Sequence, residues 1–450
     1  MRHPSLRPLI LGGLLWAVST GAALAVIRTV DDEPGADFTS VQAAITASSN
    51  GDVVMVSCGT YFENIVMKDG VDVLGAGAGC TTLDGTSSGT VVTFNAVGAE
   101  LSGFTIQNGL SSRGGGILVS GSSQPTISRN IIRNNRAVLN MAGYFGYGGG
   151  IHVYKAAPII SNCLLVGNHA EGTGGGLDMY SSDPVVVNNT IVGNETIHPG
   201  APLGYGGGVY LLGSEPTMTS NIIHDNLSEG GGGGVDVVDS VYTMTYNDLY
   251  QNTPVNWACS DSGGPCPNPG FPPPPGNVSV DPLFRGTGSN ALRYCPRSNS
   301  PAKDAGPVTP PSDPLDFFGR PRVQDGDFDG TAIVDLGYCE TDEVSTLLVH
   351  GSGLITWDPS VNGSAMYNLY RGDLNVLLAS CAIDCVYTQN LGVVTEARRF
   401  CDVVSPSFMD TDVPLLAGEG YFYLVTGEDV LEGGLGWMGS VPRDNDNPCP

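Results

Sequence analysis

One unit of sequence is written five times between Gly114 and Asn252, and nothing else constrains the fold as much. The copies are GGGILVSGSSQPTISRNIIRNN, GGGIHVYKAAPIISNCLLVGN, GGGLDMYSSDPVVVNNTIVGN, GGGVYLLGSEPTMTSNIIHDN and GGGVDVVDSVYTMTYNDLYQN. Four carry Pro at one corner (Pro125, Pro158, Pro184, Pro216), where the fifth has Tyr242. Counted from that corner, the second residue is apolar: Ile127, Ile160, Val186, Met218, Met244. The fifth is Asn130, Cys163, Asn189, Asn221 and Asn247, and the seventh is again apolar: Ile132, Leu165, Ile191, Ile223, Leu249. The tenth is Asn every time: Asn135, Asn168, Asn194, Asn226, Asn252.

No segment of the repeat holds an apolar period of 3.6 over a helical length. Its runs are short, alternating and broken by Gly, Asn and Pro, so they read as strands and corners. One such unit cannot bury its apolar residues alone, whereas stacked coils set Ile on Ile and make a continuous core. The Asn columns fit corners: Asn tolerates a left-handed backbone, and stacked amides can bond from coil to coil.

With these repeats the chain resembles the right-handed parallel β-helix superfamily, which includes pectate lyases, other polysaccharide lyases and hydrolases, and many secreted proteins. The resemblance runs from about residue 37 to 340. It implies an all-β chain, a right-handed parallel β-helix (solenoid) over 26–340 with an N-terminal helical cap, and says little about reaction. For the cap, Thr39 with Gln42 reads as a capping box, Val41, Ala44 and Ile45 as one apolar stripe, and Asn50-Gly51 as the stop. The stretch SPAKDAG to DLGYCE resembles the closing segment of exported bacterial β-helix proteins. Residues 341–450 lose the Gly triplets and the Asn ladder. Their alternating strands, with Trp357 and Tyr367 as core aromatics, suggest a small β-sandwich similar to fibronectin type III modules.

Met1 to Ala25 reads as a signal peptide: Arg2 and Arg7, the apolar run LILGGLLWAV, then Ala23-Leu24-Ala25. The run is too short, and too broken by Gly12 and Gly13, for a membrane anchor. The expected location is therefore secreted, at the cell surface or in the periplasm, as a monomer without membrane insertion. Eleven cysteines agree with export. Cys163 stands on an inward column and reads as a buried free thiol. Sequence proximity favours Cys58 with Cys80 and Cys259 with Cys266, with Cys295 and Cys339 as a further pair. Cys381, Cys385, Cys401 and Cys449 leave three pairings open. Without Arg2 and Arg7 the chain has 17 basic and 45 acidic residues, which argues against nucleic acid or anionic membrane as partner.

Asp325, Asp327 and Asp329 alternate before Gly330, and Asp335 follows. Hard oxygens converging at a turn suit a structural Ca2+, although Leu336 stands where an EF-hand has its bidentate Glu. For chemistry, alternation sends Leu118, His152, Asp178, Tyr210 and Asp236 outward as one column, and Ser120, Tyr154, Tyr180, Leu212 and Val238 as the next. The loops before the triplets run 12, 5, 11 and 5 residues, and the long ones end at Tyr147 and Tyr205. They predict a groove holding an extracellular polysaccharide on Tyr147, Tyr154, Tyr180, Tyr205 and Tyr210, with His152, Lys155, Asp178 and Asp236 as catalytic candidates. The motifs of polygalacturonases, pectin methylesterases and alginate lyases are missing. Three readings stay open: a lyase using Lys155, an inverting hydrolase using Asp178 and Asp236, or a non-catalytic surface or adhesion platform.

Overall fold

The computed structural model describes residues 25–33, 35–139, 145–199, 204–260, 276–286, 293–297, 300–309, 313–322 and 333–340, and the backbone of eight strands between Leu347 and Pro442. Each of the first four repeats, with the loop that follows it, makes one coil of four strands, the fifth gives three, and like strands of successive coils pair in parallel. Sheet I runs from Ile27–Val30 to Thr243–Thr245 and includes Thr126–Ser128, Ile159–Ser161, Val185–Val187 and Thr217–Thr219. Sheet II holds Ile131–Arg133, Leu164–Val166, Thr190–Val192, Ile222–His224 and Asp248–Tyr250. Sheet III is a column of two-residue strands such as Arg136–Ala137 and His169–Ala170. Sheet IV follows the Gly triplets with Ile117–Ser120, Ile151–Tyr154, Leu177–Tyr180, Val209–Leu212 and Val235–Val238, and Trp257–Ser260 adds a strand at its edge.

The inward positions of sheets I, II and IV form a single core. Ile127, Ile160, Val186 and Met218 stack from sheet I, Ile132, Leu165, Ile191 and Ile223 from sheet II, and Ile117 to Val237 from sheet IV. Both Asn columns are ladders inside that core. Asn135 Nδ2 donates to Asn168 Oδ1 at 3.1 Å, Asn168 to Asn194 at 3.0 Å, Asn194 to Asn226 at 3.0 Å and Asn226 to Asn252 at 2.9 Å. The second column links Asn189, Asn221, Asn247 and Asn277 in the same way. Cys163 interrupts it as a free buried thiol.

The left-handed residue, however, is not the ladder Asn but the one before it. Arg129, Asn162, Asn188, Ser220 and Tyr246 have φ between 52° and 58°, and Asn134, Gly167, Gly193, Asp225 and Gln251 precede the other column with φ between 52° and 63°. The corner bends one residue early, which turns the next amide inward to be buried and bonded. The third corner repeats the device with hydroxyls. Ser182 N donates to Ser214 Oγ and Ser214 N to Ser240 Oγ, and the preceding Ser181, Gly213 and Asp239 are left-handed.

The triplet glycines are required by close approach. A Cβ on Gly150 would sit 2.5 Å from Gly176 O and 3.1 Å from Asn168 Nδ2, so ladder and glycine column exclude any side chain there.

Near the N-terminus a helix, α1 (Val41–Ala47), packs on the first strands of sheets I and IV and buries Val41, Ala44 and Ile45. Its cap corrects the expectation. Ser40, not Thr39, accepts from Ala43 N, and Glu63 takes the free N–H groups of Val41 and Gln42. Gln42 instead reaches across to Val66 N, because a carboxylate from the next coil already fills its role.

The described stretches 276–286, 293–297, 313–322 and 333–340 form a crossing segment over the outer face of sheet II. Phe284, Phe317, Tyr338 and the Cys295–Cys339 disulfide cover Ile131, Leu164 and Val192. The Cys58–Cys80 bridge is present as well, and Cys259 is disulfide-bonded with a partner outside the described residues. Beyond Glu340, Arg398–Val403, Tyr367–Asp373 and Tyr421–Gly427 form one antiparallel sheet, and Leu347–Val349, Leu354–Trp357 and Ser407–Met409 another. Residues 1–24 of the expected signal peptide and the side chains of Trp357 and Tyr367 lie outside the described residues.

Candidate functional site

Sheet IV carries both outward columns in the expected register. His152 pairs with Asp178, Asp178 with Tyr210 and Tyr210 with Asp236, while Tyr154 pairs with Tyr180 and Tyr180 with Leu212. Yet His152, Asp178 and Asp236 are only 3%, 2% and 4% exposed. The first glycine of the triplet explains this. Gly148, Gly174 and Gly206 adopt φ of 62–66°, and this turns the chain back so that the residue before the triplet lies over the strand. A Cβ on Gly174 would meet Asp178 Cβ at 2.5 Å, so glycine alone lets the chain pass this close. Arg113, Tyr147, Thr173 and Tyr205 are bridged one to the next as a column of their own along this edge.

That column closes over the polar one. The Tyr147 ring stacks on the His152 imidazole with centroids 5.9 Å apart. His152 Nδ1 lies 2.7 Å from Asp178 Oδ1, and Thr173 Oγ1 donates to Asp178 Oδ2. Asp236 Oδ2 accepts from Gly232 N at 3.0 Å, while burial pushes the Asp236 carboxyl up to about 6. Tyr210 stands half-buried between the two carboxylates, its phenol pushed up by burial and then by Asp178 and Asp236. The open His–Asp groove expected from alternation is therefore roofed over His152 and Asp178, while Asp236 is buried apart from them against Gly231 and Gly232. Tyr147 and Tyr205 do lie two coils apart in one column, as expected, but Tyr147 faces His152 as part of that roof.

The accessible part is the far end of the strands. Tyr154 and Tyr180 lie with ring centroids 5.5 Å apart, and Tyr180 is 41% exposed. Lys155 Nζ sits 5.2 Å from the Tyr154 centroid and Arg113 Cζ 5.8 Å from it. Lys155 itself is the left-handed corner residue of its coil, φ 50°, and is exposed. Thus His152, Asp178, Tyr147 and Tyr154 come together, Lys155 joins them at the rim through Tyr154, and Asp236 belongs to a separate buried patch beyond Tyr210. Arg113 and Thr173 escaped notice in the sequence. Both occupy the position just before a Gly triplet, and aligning the repeats on that position puts them beside Tyr147 and Tyr205.

Of the metal candidates, Asp325, Asp327 and Asp329 lie outside the described residues. Asp335 is buried, and its Oδ1 accepts from Asp304 N at 2.8 Å. Among the described residues no three His, Cys, Asp or Glu gather as metal ligands would, and no helix is long and apolar enough to cross a membrane.

Several solved structures share similarity with the chain. The pectate lyase Pel9A aligns over 71% of this chain and 97% of its own, at 15% identity and a TM-score of 0.36. A pectin methylesterase from carrot covers 55% of this chain and 86% of its own, at 13% identity and a TM-score of 0.28. The pectin methylesterase PemA from Erwinia chrysanthemi covers 50% and 71%, at 12% identity and a TM-score of 0.26. At these scores the likeness carries no argument about activity. No curated protein matches the chain. The family described as "Right handed beta helix region" matches residues 36–191 and 69–264, together just over half of the sequence, and spans the stacked coils described above. The chain belongs to the right-handed β-helix family.

Proposed function

We propose that this β-helix binds extracellular polysaccharide on the outer face of sheet IV, along the strip made by Tyr154, Tyr180, Lys155 and Arg113. One observation carries the reading: two tyrosine rings on adjacent coils, with two cations against the first of them, stand at the solvent edge of a strongly acidic chain. Aromatic faces pack on the apolar faces of sugars, and rigid coils hold them at a fixed spacing with little entropy to lose.

The reading stops at binding. Asp178 and Asp236 are the pair an inverting hydrolase would use, and both are buried, Asp178 bonded to His152 and Thr173 beneath the roof and Asp236 Oδ2 to Gly232 N. Export belongs to the same proposal, supported by the two bridges Cys58–Cys80 and Cys295–Cys339. So do a capping role for α1, a sandwich beyond residue 340, and a calcium ion at Asp325 to Asp335. Chelator should lower the melting temperature of the wild type but not of an Asp327→Ala, Asp329→Ala double variant.

Affinity electrophoresis over a panel of neutral and acidic polysaccharides tests the strip. Tyr154→Ala and Tyr180→Ala should each weaken binding by roughly 0.5–1.5 kcal/mol if the ring stacks as aromatic pairs do. Unchanged mobility of the double variant, or no retardation by any polymer, would discard the proposal. Reducing-end release and unsaturated-uronate absorbance on the retained polymers would show whether cleavage accompanies binding.

A further inference from the structure

The strip on which Tyr154 and Tyr180 stand continues for two more coils, and its charge changes sign along the way. Tyr154, Tyr180, Leu212 and Val238 are consecutive partners in sheet IV, each at least partly open to solvent. Neighbouring coils lie about 4.8 Å apart, so the four make a narrow, mainly apolar track along the solenoid axis.

Both cations stand at one end of that track. A unit stacked on Tyr154 has the Lys155 ammonium 5.2 Å and the Arg113 guanidinium 5.8 Å from the ring beneath it. After Lys155 no Lys or Arg occurs from Ala156 to Phe284. The corner beside the track turns acidic instead. Lys155 N donates to Tyr180 O, and its successors at the same left-handed corner are Ser181, Gly213 and Asp239. Just beyond that corner, Asp183 N donates to Ala156 O and Glu215 N to Ser182 O. Asp183, Glu215 and Asp239, all exposed, thus follow Tyr180, Leu212 and Val238 round the corner of their own coils.

This step in charge sorts ligands. The two rings favour the apolar faces of sugars whether or not the sugar is charged. An acidic group on the unit over Tyr154 gains the two cations. The same group over Tyr180, Leu212 or Val238 faces the acidic side of the corner, and like charges brought together count against a partner. A polymer acidic at every unit cannot set one charge at the favoured end without setting others against the rest.

We infer that the strip takes a mainly neutral polysaccharide with isolated acidic units, one of them seated over Tyr154, and turns away polymers charged at every unit. The inference rests on the reading that the strip binds polysaccharide, and adds which kind.

Affinity electrophoresis of the full chain, in low salt with EDTA to remove bridging cations, tests it on soluble cellulose, dextran and galactomannan derivatives. Each backbone is offered neutral, sparsely carboxymethylated and densely carboxymethylated. On at least one backbone the sparse form should bind about fivefold or more tighter than the neutral and dense forms. Lys155→Met should bring the sparse and neutral forms within about twofold of each other, while Asp183→Asn with Glu215→Gln should lift the dense form toward the sparse one. Tightest binding of the dense form would overturn the inference and leave the strip standing. So would equal binding of all three forms on a backbone whose retention Tyr180→Ala abolishes, or a preference that survives Lys155→Met. No retardation by any polymer would remove the strip itself, and the inference with it.

Discussion

His152 Nδ1 and Asp178 Oδ1 meet at 2.7 Å across two adjacent coils, twenty-six residues apart in sequence and shut away from solvent. The pair is held from both sides, by the Tyr147 ring on the imidazole and by the Thr173 hydroxyl on the carboxylate. It ties the turn before the triplet to the strand after it, and so fixes the outer wall on which Tyr154 stands.

This pair should behave as one unit in stability. His152→Leu leaves a buried carboxylate without its imidazole and should cost about 1–3 kcal/mol in urea denaturation. Asp178→Ala should cost a similar amount. The double variant should lose clearly less than the sum, with a coupling of at least about 0.5 kcal/mol. Additive losses would mean that the contact contributes nothing of its own.

The ladders make a second expectation. Asn168 accepts from Asn135 N and Nδ2 and donates to Ile132 O and Asn194 Oδ1, all buried. Asn168→Ala strands several of these groups at once, and about 3 kcal/mol or more should be lost, enough to show as poor expression. Cys163→Asn should act in the other direction. Cys163 N already donates to Asn189 Oδ1, while the thiol offers only weak bonds to Ile127 O and Ser161 O and receives Asn130 N. An amide there completes the column, as Asn189 does one coil later, and should add about 0.5–1.5 kcal/mol. A melting temperature that falls would show that the site cannot take the larger side chain.

A third follows from the glycine column. Gly150→Ala puts a methyl group onto Gly176 O and the Asn168 amide, neither of which can retreat without breaking a ladder bond. A loss of about 1–3 kcal/mol is expected, typical of overpacking. Gly193→Ala is the control. No atom lies within 4 Å of the Cβ it would add, so only its left-handed φ of 62° resists the change, and it should cost less.

How much of this could be read from the sequence follows from where each signal originates. Coil register is a short-range property repeated five times, so the offsets from Pro125 to Asn135 sufficed to place Ile127 on Ile160 and Asn135 on Asn168. The same alternation put His152 beside Asp178 correctly. It failed on exposure, because outward from a strand means open to solvent only if nothing crosses above. What crosses is Tyr147 and Thr173, swung over by a left-handed glycine, and their approach is a tertiary fact. The cap failed for a related reason: Glu63, two dozen residues away, took the place that a local motif gives to Gln42.

The last expectation concerns pH. Asp248 stands at the outer side of sheet II beneath the crossing segment, fully buried, with Oδ1 on Val280 N at 3.0 Å and Oδ2 without a partner. Burial pushes its carboxyl up to about 7, against an ordinary value of 3.8. The folded chain thus holds this proton more tightly than the unfolded chain does, so the group's contribution falls as pH rises from about 4 through 7. Read in reverse, acidification from pH 8 should stabilise the fold. Asp236, pushed up to about 6, adds the same sign lower down, and Glu340, raised by burial, adds the same sign as well. His224 opposes them, because burial lowers its pKa and its neutral form is lost from the balance as pH drops below the ordinary 6.5. The informative window is therefore pH 8 to 6.5, where the Asp248 contribution should be roughly 0.5–1 kcal/mol. Urea midpoints measured at the two values should rise on acidification in the wild type, and most of that rise should vanish in Asp248→Asn. Equal slopes in the two proteins would mean that the carboxylate is hydrated under the crossing segment and titrates as an ordinary surface acid.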